Sequence, residues 1–174
     1  LTSAQPFTSL LIFSNIKLFK YQWVWKKNSP AGFVNAKLKP MNIHEDICIF
    51  SRGATSNGNR NNMKYYPQGL MPYGKITKSG NKKGKENTYW RPSLKSTTTG
   101  YVQEFTNYPV TVIEFAKDTP ADHPTQKPVA LFEYLIKTNT NEGDLVVDNC
   151  AGSFTTSVAC ENTNRNWICI EQER

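Results

Sequence analysis

Residues 144–171, DLVVDNCAGSFTTSVACENTNRNWICIE, decide the fold. Asp144-Leu-Val-Val-Asp148 is a short apolar run that ends on an acid and predicts a buried strand. Cys150-Ala-Gly-Ser153 follows with small side chains only, and a helix is predicted from Thr155 to Asn162. Trp167-Ile-Cys-Ile-Glu171 then repeats the run-to-acid pattern. Just upstream, Pro128 to Lys137 predicts a helix, with Leu131, Tyr134 and Leu135 at helical spacing, and Asn141-Glu-Gly-Asp144 a turn. The last third therefore reads helix–strand–loop–helix–strand, the alternation of a parallel α/β sheet.

That order carries chemistry. At the carboxyl end of a parallel strand, small residues let a ligand approach the main chain, and the next helix offers free N–H donors. Glu171 ends the second strand where an acid can accept hydrogen bonds from a ribose diol. The dinucleotide fingerprint G-x-G-x-x-G is missing, and so is a G-K-[ST] triphosphate cradle. With Asp148 at the loop entry, an anionic phosphate is poorly received and a cationic or zwitterionic ligand fits better. A second reading stays open, in which Asp148 and Glu171 only cap their own turns.

Upstream, residues 6–16 predict a helix, with Pro6 in its first turn and Leu10, Leu11 and Phe13 as a broad apolar face. Residues 19–25 alternate large apolar and polar side chains, as a strand does, and Asn28-Ser-Pro-Ala-Gly32 reads as a turn. Short strands are predicted at Ile47–Phe50 and Val110–Phe115. Between them, residues 54–100 are rich in Gly, Asn, Ser, Thr and Lys and hold neither period. A connection that long in a compact domain is functional or disordered, and its tyrosines and tryptophan argue against pure disorder.

Charge is polarised along the 174 residues. Residues 1–56 carry a net +5, residues 57–100 a net +8 with Glu86 as their one acid, and residues 101–174 a net −6. A basic segment of that kind points to nucleic acid. Lys82-Lys-Gly-Lys85 with Tyr89-Trp-Arg91 joins phosphate-neutralising charge to stacking aromatics, so Lys82, Lys83, Lys85, Tyr89 and Arg91 are candidate DNA contacts. The alternative is a solvated basic loop whose aromatics pack inward. No apolar run approaches the length of a membrane span. Cys48, Cys150, Cys160 and Cys169 show no C-x-x-C spacing and read as buried, reduced thiols, implying a cytoplasmic protein, and two dispersed histidines complete no zinc site.

Several stretches resemble one family. Val146-Val-Asp-Asn-Cys-Ala-Gly-Ser-Phe-Thr-Thr156 looks like the cofactor loop D-P-F-x-G-S-G-T-T of the amino-group (adenine-N6 or cytosine-N4) DNA methyltransferases. His123-Pro-Thr-Gln-Lys-Pro128 resembles the H-P-T-x-K-P segment just before it. Thr2-Ser-Ala-Gln-Pro-Phe-Thr-Ser9, Trp25-Lys-Lys-Asn28 and His44-Glu-Asp-Ile-Cys-Ile-Phe50 resemble stretches of the adenine-type members. The order is that of the permuted class, with the cofactor loop last. The resemblance implies a partial Rossmann-like α/β fold that uses S-adenosylmethionine, with a basic target-recognition insertion for double-stranded DNA. It divides the chain into a catalytic-half remnant (1–53), the insertion (54–107) and a cofactor-binding half (108–174). By the same resemblance Asp148, Cys150, Ala151, Gly152 and Ser153 would line the methionine part of the cofactor. Glu171 would hold its ribose, and Thr125 and Lys127 would help close the pocket on its carboxylate.

The chain also departs from the family. No D-P-P-Y tetrad occurs; in full-length relatives it holds the target amine and stacks on the flipped base. Met71-Pro-Tyr-Gly74 lacks the acid and lies in the wrong region, and no Met precedes Met41. The expectation is a truncated copy, weakly active or inactive, missing central strands and with a sheet face exposed on both sides, which a partner chain could complete. Phe154 stands where the family loop has glycine and would crowd the cofactor or the helix.

Overall fold

The structure is a computed structural model that describes residues 1–77, 101–118 and 126–172, in two compact units. The first unit comprises residues 1–68 and 110–174, the second residues 69–109. Tertiary context stretches several predicted elements. In order these are β1 (Thr2–Ser3), α1 (Phe7–Ser14), β2 (Phe19–Ala31), β3 (Asn42–Phe50), β4 (Met71–Thr77), β5 (Tyr101–Thr106), β6 (Val112–Glu114), α2 (Val129–Asn139), β7 (Leu145–Asp148), α3 (Thr155–Asn162) and β8 (Asn166–Cys169).

In the first unit a four-stranded sheet runs β1-β3-β2-β6. Its β1–β3 and β3–β2 pairs are antiparallel and its β2–β6 pair is parallel. Trp23 faces Ile47 and Trp25 faces Glu45 across β2 and β3, so strand alternation puts Tyr21, Trp23, Trp25, Glu45, Ile47 and Ile49 on one face. Helix α2 covers that face: Leu131, fully buried, packs among Trp23, Trp25, Ile47 and Ile113. The Trp25 indole N–H donates to the Phe115 carbonyl at 2.9 Å. On the opposite face Thr8 of α1 donates its hydroxyl to the buried Asp46 carboxylate at 2.8 Å, with Ser3 Oγ 2.9 Å from the same hydroxyl.

The decisive stretch forms its own parallel pair, β7–β8, with Val146 opposite Trp167 and Asp148 opposite Cys169. This is the parallel strand–helix–strand unit expected of an α/β chain. Helix α2 serves both sheets. Its Phe132 packs against the four-stranded sheet and also against the cluster of Ile136, Ala159 and Cys160, which takes in Val146. One face of β7–β8 is thereby covered, while Leu145, Val147, Ile168 and Ile170 are exposed.

Four readings need correction. β7 and β8 are not buried strands, because one face of the pair, with Leu145, Val147 and Ile168, is uncovered among the described residues. Cys150 is exposed on the loop after β7 and Cys169 is half-buried, so only Cys48 and Cys160 are buried thiols. Helix α1 forms, but of its expected apolar face Leu10 and Phe13 are 66% and 77% exposed and only Leu11 is half-buried, while Thr8 is buried through its hydrogen bond to Asp46. Asn28 to Ala31 belong to β2, which runs through a register shift to pair Ala31 with Asn42, and the chain turns only at Gly32 (φ +92°). In the second unit β4 and β5 pair antiparallel, and Asn107 donates its side-chain amide to the Gly69 carbonyl at 2.7 Å.

The α2-covered face is an aromatic wall. Tyr21 lies edge-on to Trp23 and Trp23 to Tyr134, with ring centroids 5.5 and 5.9 Å apart. Burial, reinforced by Tyr65 and Tyr134, pushes the Tyr21 phenol up to about 12. Its hydroxyl is buried with no hydrogen-bond partner among the described residues. A buried, unpaired hydroxyl costs about 1–3 kcal/mol. Tyr21→Phe should therefore raise unfolding stability by about 1 kcal/mol in urea denaturation; a loss would show that the hydroxyl has a partner.

Candidate functional site

The site is built where β7 ends. The chain leaves the strand at Asp148 and must reverse into α3 within six residues, and it does so with Gly152 and Phe154 both left-handed, at φ +52° and +58°. Glycine adopts that region at little cost, but phenylalanine does not. Phe154 is held there by its main chain: its N–H donates to the Ala151 carbonyl at 2.9 Å, and its carbonyl accepts the Ser157 N–H at 3.0 Å and hydroxyl at 2.7 Å.

Both acids tie this turn. Asp148 Oδ1 accepts the Cys150 N–H at 3.1 Å and Oδ2 the Thr156 hydroxyl at 2.5 Å. Glu171 Oε2 accepts the Gly152 N–H at 2.6 Å. The Ala151 N–H reaches the Ile170 carbonyl at 3.1 Å, and the Ile170 N–H reaches the Asp148 carbonyl at 2.8 Å. The two strand ends and the loop are thus one hydrogen-bonded unit. Both carboxylates cap turns, as one reading required. An ionised carboxylate offers about four acceptor sites, so its two bonds leave Asp148 capacity for a ligand.

Beside this loop lies a cleft of about 630 Å³, within the size range of small-molecule sites. Phe132, Leu135, Ile136 and Val146 give it apolar walls, and Asp148 to Ser153 form a polar rim with Thr155 and Thr156. The structure brings Asp148, Cys150, Ala151, Gly152, Ser153 and Lys127 together there. Glu171 is not among the lining residues and reaches the cleft through its bond to Gly152. Thr125 and His123, and Lys82, Lys83, Lys85, Tyr89 and Arg91, lie outside the described residues.

Sequence reasoning missed Glu45. Its carboxylate is clasped by two lysines, Lys27 at 2.7 Å and Lys127 at 3.1 Å, one on each oxygen. The cause is local: alternation in β3 puts Glu45 on the face that α2 covers, and Lys127 stands just before Pro128, the residue that caps α2. Lys27 is 9% exposed and lies 5.7 Å from the Trp25 ring centre. Burial alone would raise the Glu45 carboxyl, but the two ammonium groups more than offset it and hold it below its ordinary value.

Two outcomes follow. Phe154→Gly should be more stable than Phe154→Ala by about 1 kcal/mol in chemical denaturation, since both remove the ring and only glycine relieves the left-handed backbone. Equal stabilities would mean that the backbone relaxes. A lowered carboxyl contributes stability above its unfolded value, and that contribution is lost as pH falls through the folded value. The stability gap between wild type and Glu45→Gln should therefore be full above pH 4.5 and close on further acidification. A gap independent of pH would exclude the ion pairs as its source.

The comparisons with known proteins agree with this geometry. A family model described as DNA methylase, for N6 and N4 enzymes, matches residues 7–174. The type II methyltransferase M1.MboII of Moraxella bovis is 28% identical over 151 residues, 84% of this chain and 55% of that protein. The DNA adenine methyltransferase YhdJ of Escherichia coli is 42% identical over 59 residues, 34% of this chain and 20% of that protein. The chain thus spans about half of the first of these relatives, and its match to the second covers a fifth of it. Among solved structures, the M1.HpyAVI–SAM complex aligns over 99% of this chain and 66% of its own, with a TM-score of 0.58 at 22% identity. The cytosine-N4-specific PvuII DNA methyltransferase aligns over 96% and 52%, with a TM-score of 0.57 at 19% identity, and these two likenesses speak for the fold. The chain belongs to the amino-group, N6/N4 DNA methylases.

Proposed function

We propose that this chain is the cofactor-holding and DNA-facing part of an S-adenosylmethionine-dependent, site-specific adenine-N6 DNA methyltransferase of a restriction–modification system, acting in the cytoplasm. The observation that carries the proposal is the cleft, where a main-chain-exposing loop with an acid at its entry meets apolar walls and a lysine. That donor and acceptor set fits a zwitterionic nucleoside and would receive a pyrophosphate badly. Asp148 has acceptor capacity for the cofactor's ammonium, and Lys127 and the hydroxyls of Ser153 and Thr155 suit its carboxylate. Glu171 is one hydrogen bond from Gly152, a distance suited to a ribose diol beside the loop. Bound there, S-adenosylmethionine would supply an electrophilic methyl group on its sulfonium. Phe132, Leu135 and Ile136 would give that region an apolar wall. The basic residues 57–100 are assigned to double-stranded DNA, through phosphate neutralisation and stacking on Tyr89.

The 174 residues contain no D-P-P-Y tetrad, so by itself the chain is assigned weak or no methyl transfer. β7 pairs only with β8, and β1 only with β3, among the described residues, and the cleft has Thr2 on one side and Val146 to Asp148 on the other. A further segment or a partner chain carrying the tetrad would complete the sheet there. The adenine assignment rests on the resemblance of residues 2–9, 25–28 and 44–50 to adenine-type members and on the likeness to an adenine methyltransferase. The likeness to PvuII methyltransferase favours cytosine-N4 as the rival target. The missing tetrad favours a second reading of a different class, a DNA-binding or partner-binding protein without catalysis.

Isothermal titration separates these readings. Micromolar binding of S-adenosylmethionine, weakened at least about tenfold by Asp148→Asn, is the expected result. No cofactor binding together with salt-dependent DNA affinity would leave the non-catalytic reading. Methylation of adenine-labelled against cytosine-labelled DNA, with the tetrad supplied by a longer chain, decides the target.

A further inference from the structure

The Glu45 clasp has a use that the cofactor loop does not explain. Lys127 carries its charge on four rotatable bonds, and left alone it would spend rotamer entropy each time it met an anion. Glu45 fixes it at 3.1 Å on the cleft side of β3, beside the cleft-lining Ile47. Lys27 takes the other carboxylate oxygen at 2.7 Å from a buried position, so Glu45 serves two bases and orients Lys127 without giving it the whole of the carboxylate charge.

We propose that Glu45 is a positioning residue that, balanced by Lys27, holds Lys127 to receive the carboxylate of the cofactor's amino-acid end. This inference rests on the cofactor reading above. It predicts a penalty on one chemical group of the ligand, whereas a merely structural role for Glu45 would weaken every ligand alike.

The test uses S-adenosylhomocysteine and its decarboxylated analogue, which keeps the adenosine, the thioether and the amine, titrated into the same chain by calorimetry. Glu45→Gln should weaken S-adenosylhomocysteine about tenfold and leave the analogue within about twofold. In a Lys127→Met background Glu45→Gln should add nothing to the discrimination between the two ligands, as coupled residues require. If Glu45→Gln fails to fold, Lys27→Gln carries the test: with Lys27 gone Lys127 meets the whole of the carboxylate charge, and again only S-adenosylhomocysteine should weaken. Equal losses for both ligands, no loss for either, or additive losses with Lys127→Met would overturn the proposal and leave the cofactor reading standing. Failure of the wild-type chain to bind either ligand would overturn both.

Discussion

The reversal at the end of β7 is the constraint on which the rest of the structure depends. A parallel strand pair can be joined only by a crossover, and here only six residues separate the last strand residue of β7 from the crossover helix α3. To turn that sharply the chain visits the left-handed region twice, once at a residue, Phe154, that resists it. Asp148 offsets that cost by binding the turn on both sides, through the Cys150 N–H and the Thr156 hydroxyl. Those bonds fix where α3 starts. Cys160 and Ala159 can then meet Ile136 and Val146, and the cleft wall follows from that packing.

Helix α2 passes the constraint on to the other sheet. Leu131 is buried against Trp23 and Trp25, Ile136 against α3, and Phe132 takes part in both clusters. An eleven-residue helix facing two sheets has little surface left for solvent, and its buried set of Leu131, Ile136 and Thr138 wraps around more than one face. Arg165 adds a polar tie, donating from Nε to the Thr140 hydroxyl at 3.1 Å and from Nη2 to its carbonyl at 2.9 Å. The loop after α2 and the loop before β8 are thereby fixed together beside the cleft, which Thr140 lines.

Where the information was local, the sequence was legible. The apolar run ending on Asp148 falls on β7, the run from Trp167 to Glu171 overlaps β8, and Thr155–Asn162 is helical as expected. The pairing of β4 with β5 was illegible because Met71–Thr77 and Tyr101–Thr106 lie far apart and carry no sustained alternation; only their partner makes each a strand. α1 misled for the opposite reason. Its apolar residues are real, but a hydroxyl–carboxylate bond from Thr8 to Asp46 decides which side faces the sheet, and periodicity does not encode such a bond. Glu45 was illegible for both reasons together. Its importance depends on two lysines, one adjacent through strand geometry and one brought in by a helix start distant in sequence.

For Asp148 the two readings, as turn cap or as ligand acceptor, stop competing once the bonds are counted. Its caps use one acceptor site on each oxygen. An ionised carboxylate has more sites than that. A carboxylate pinned by its own main chain is also the better ligand acceptor, because its orientation is set before a ligand arrives and little entropy remains to be lost. The capping bonds therefore prepare Asp148 for a ligand. The same logic holds across the cleft, where Glu45 fixes Lys127 before any anion approaches. On both sides of the cleft, the groups suited to charged ends of a ligand are held by bonds within the protein, and the space between them is apolar.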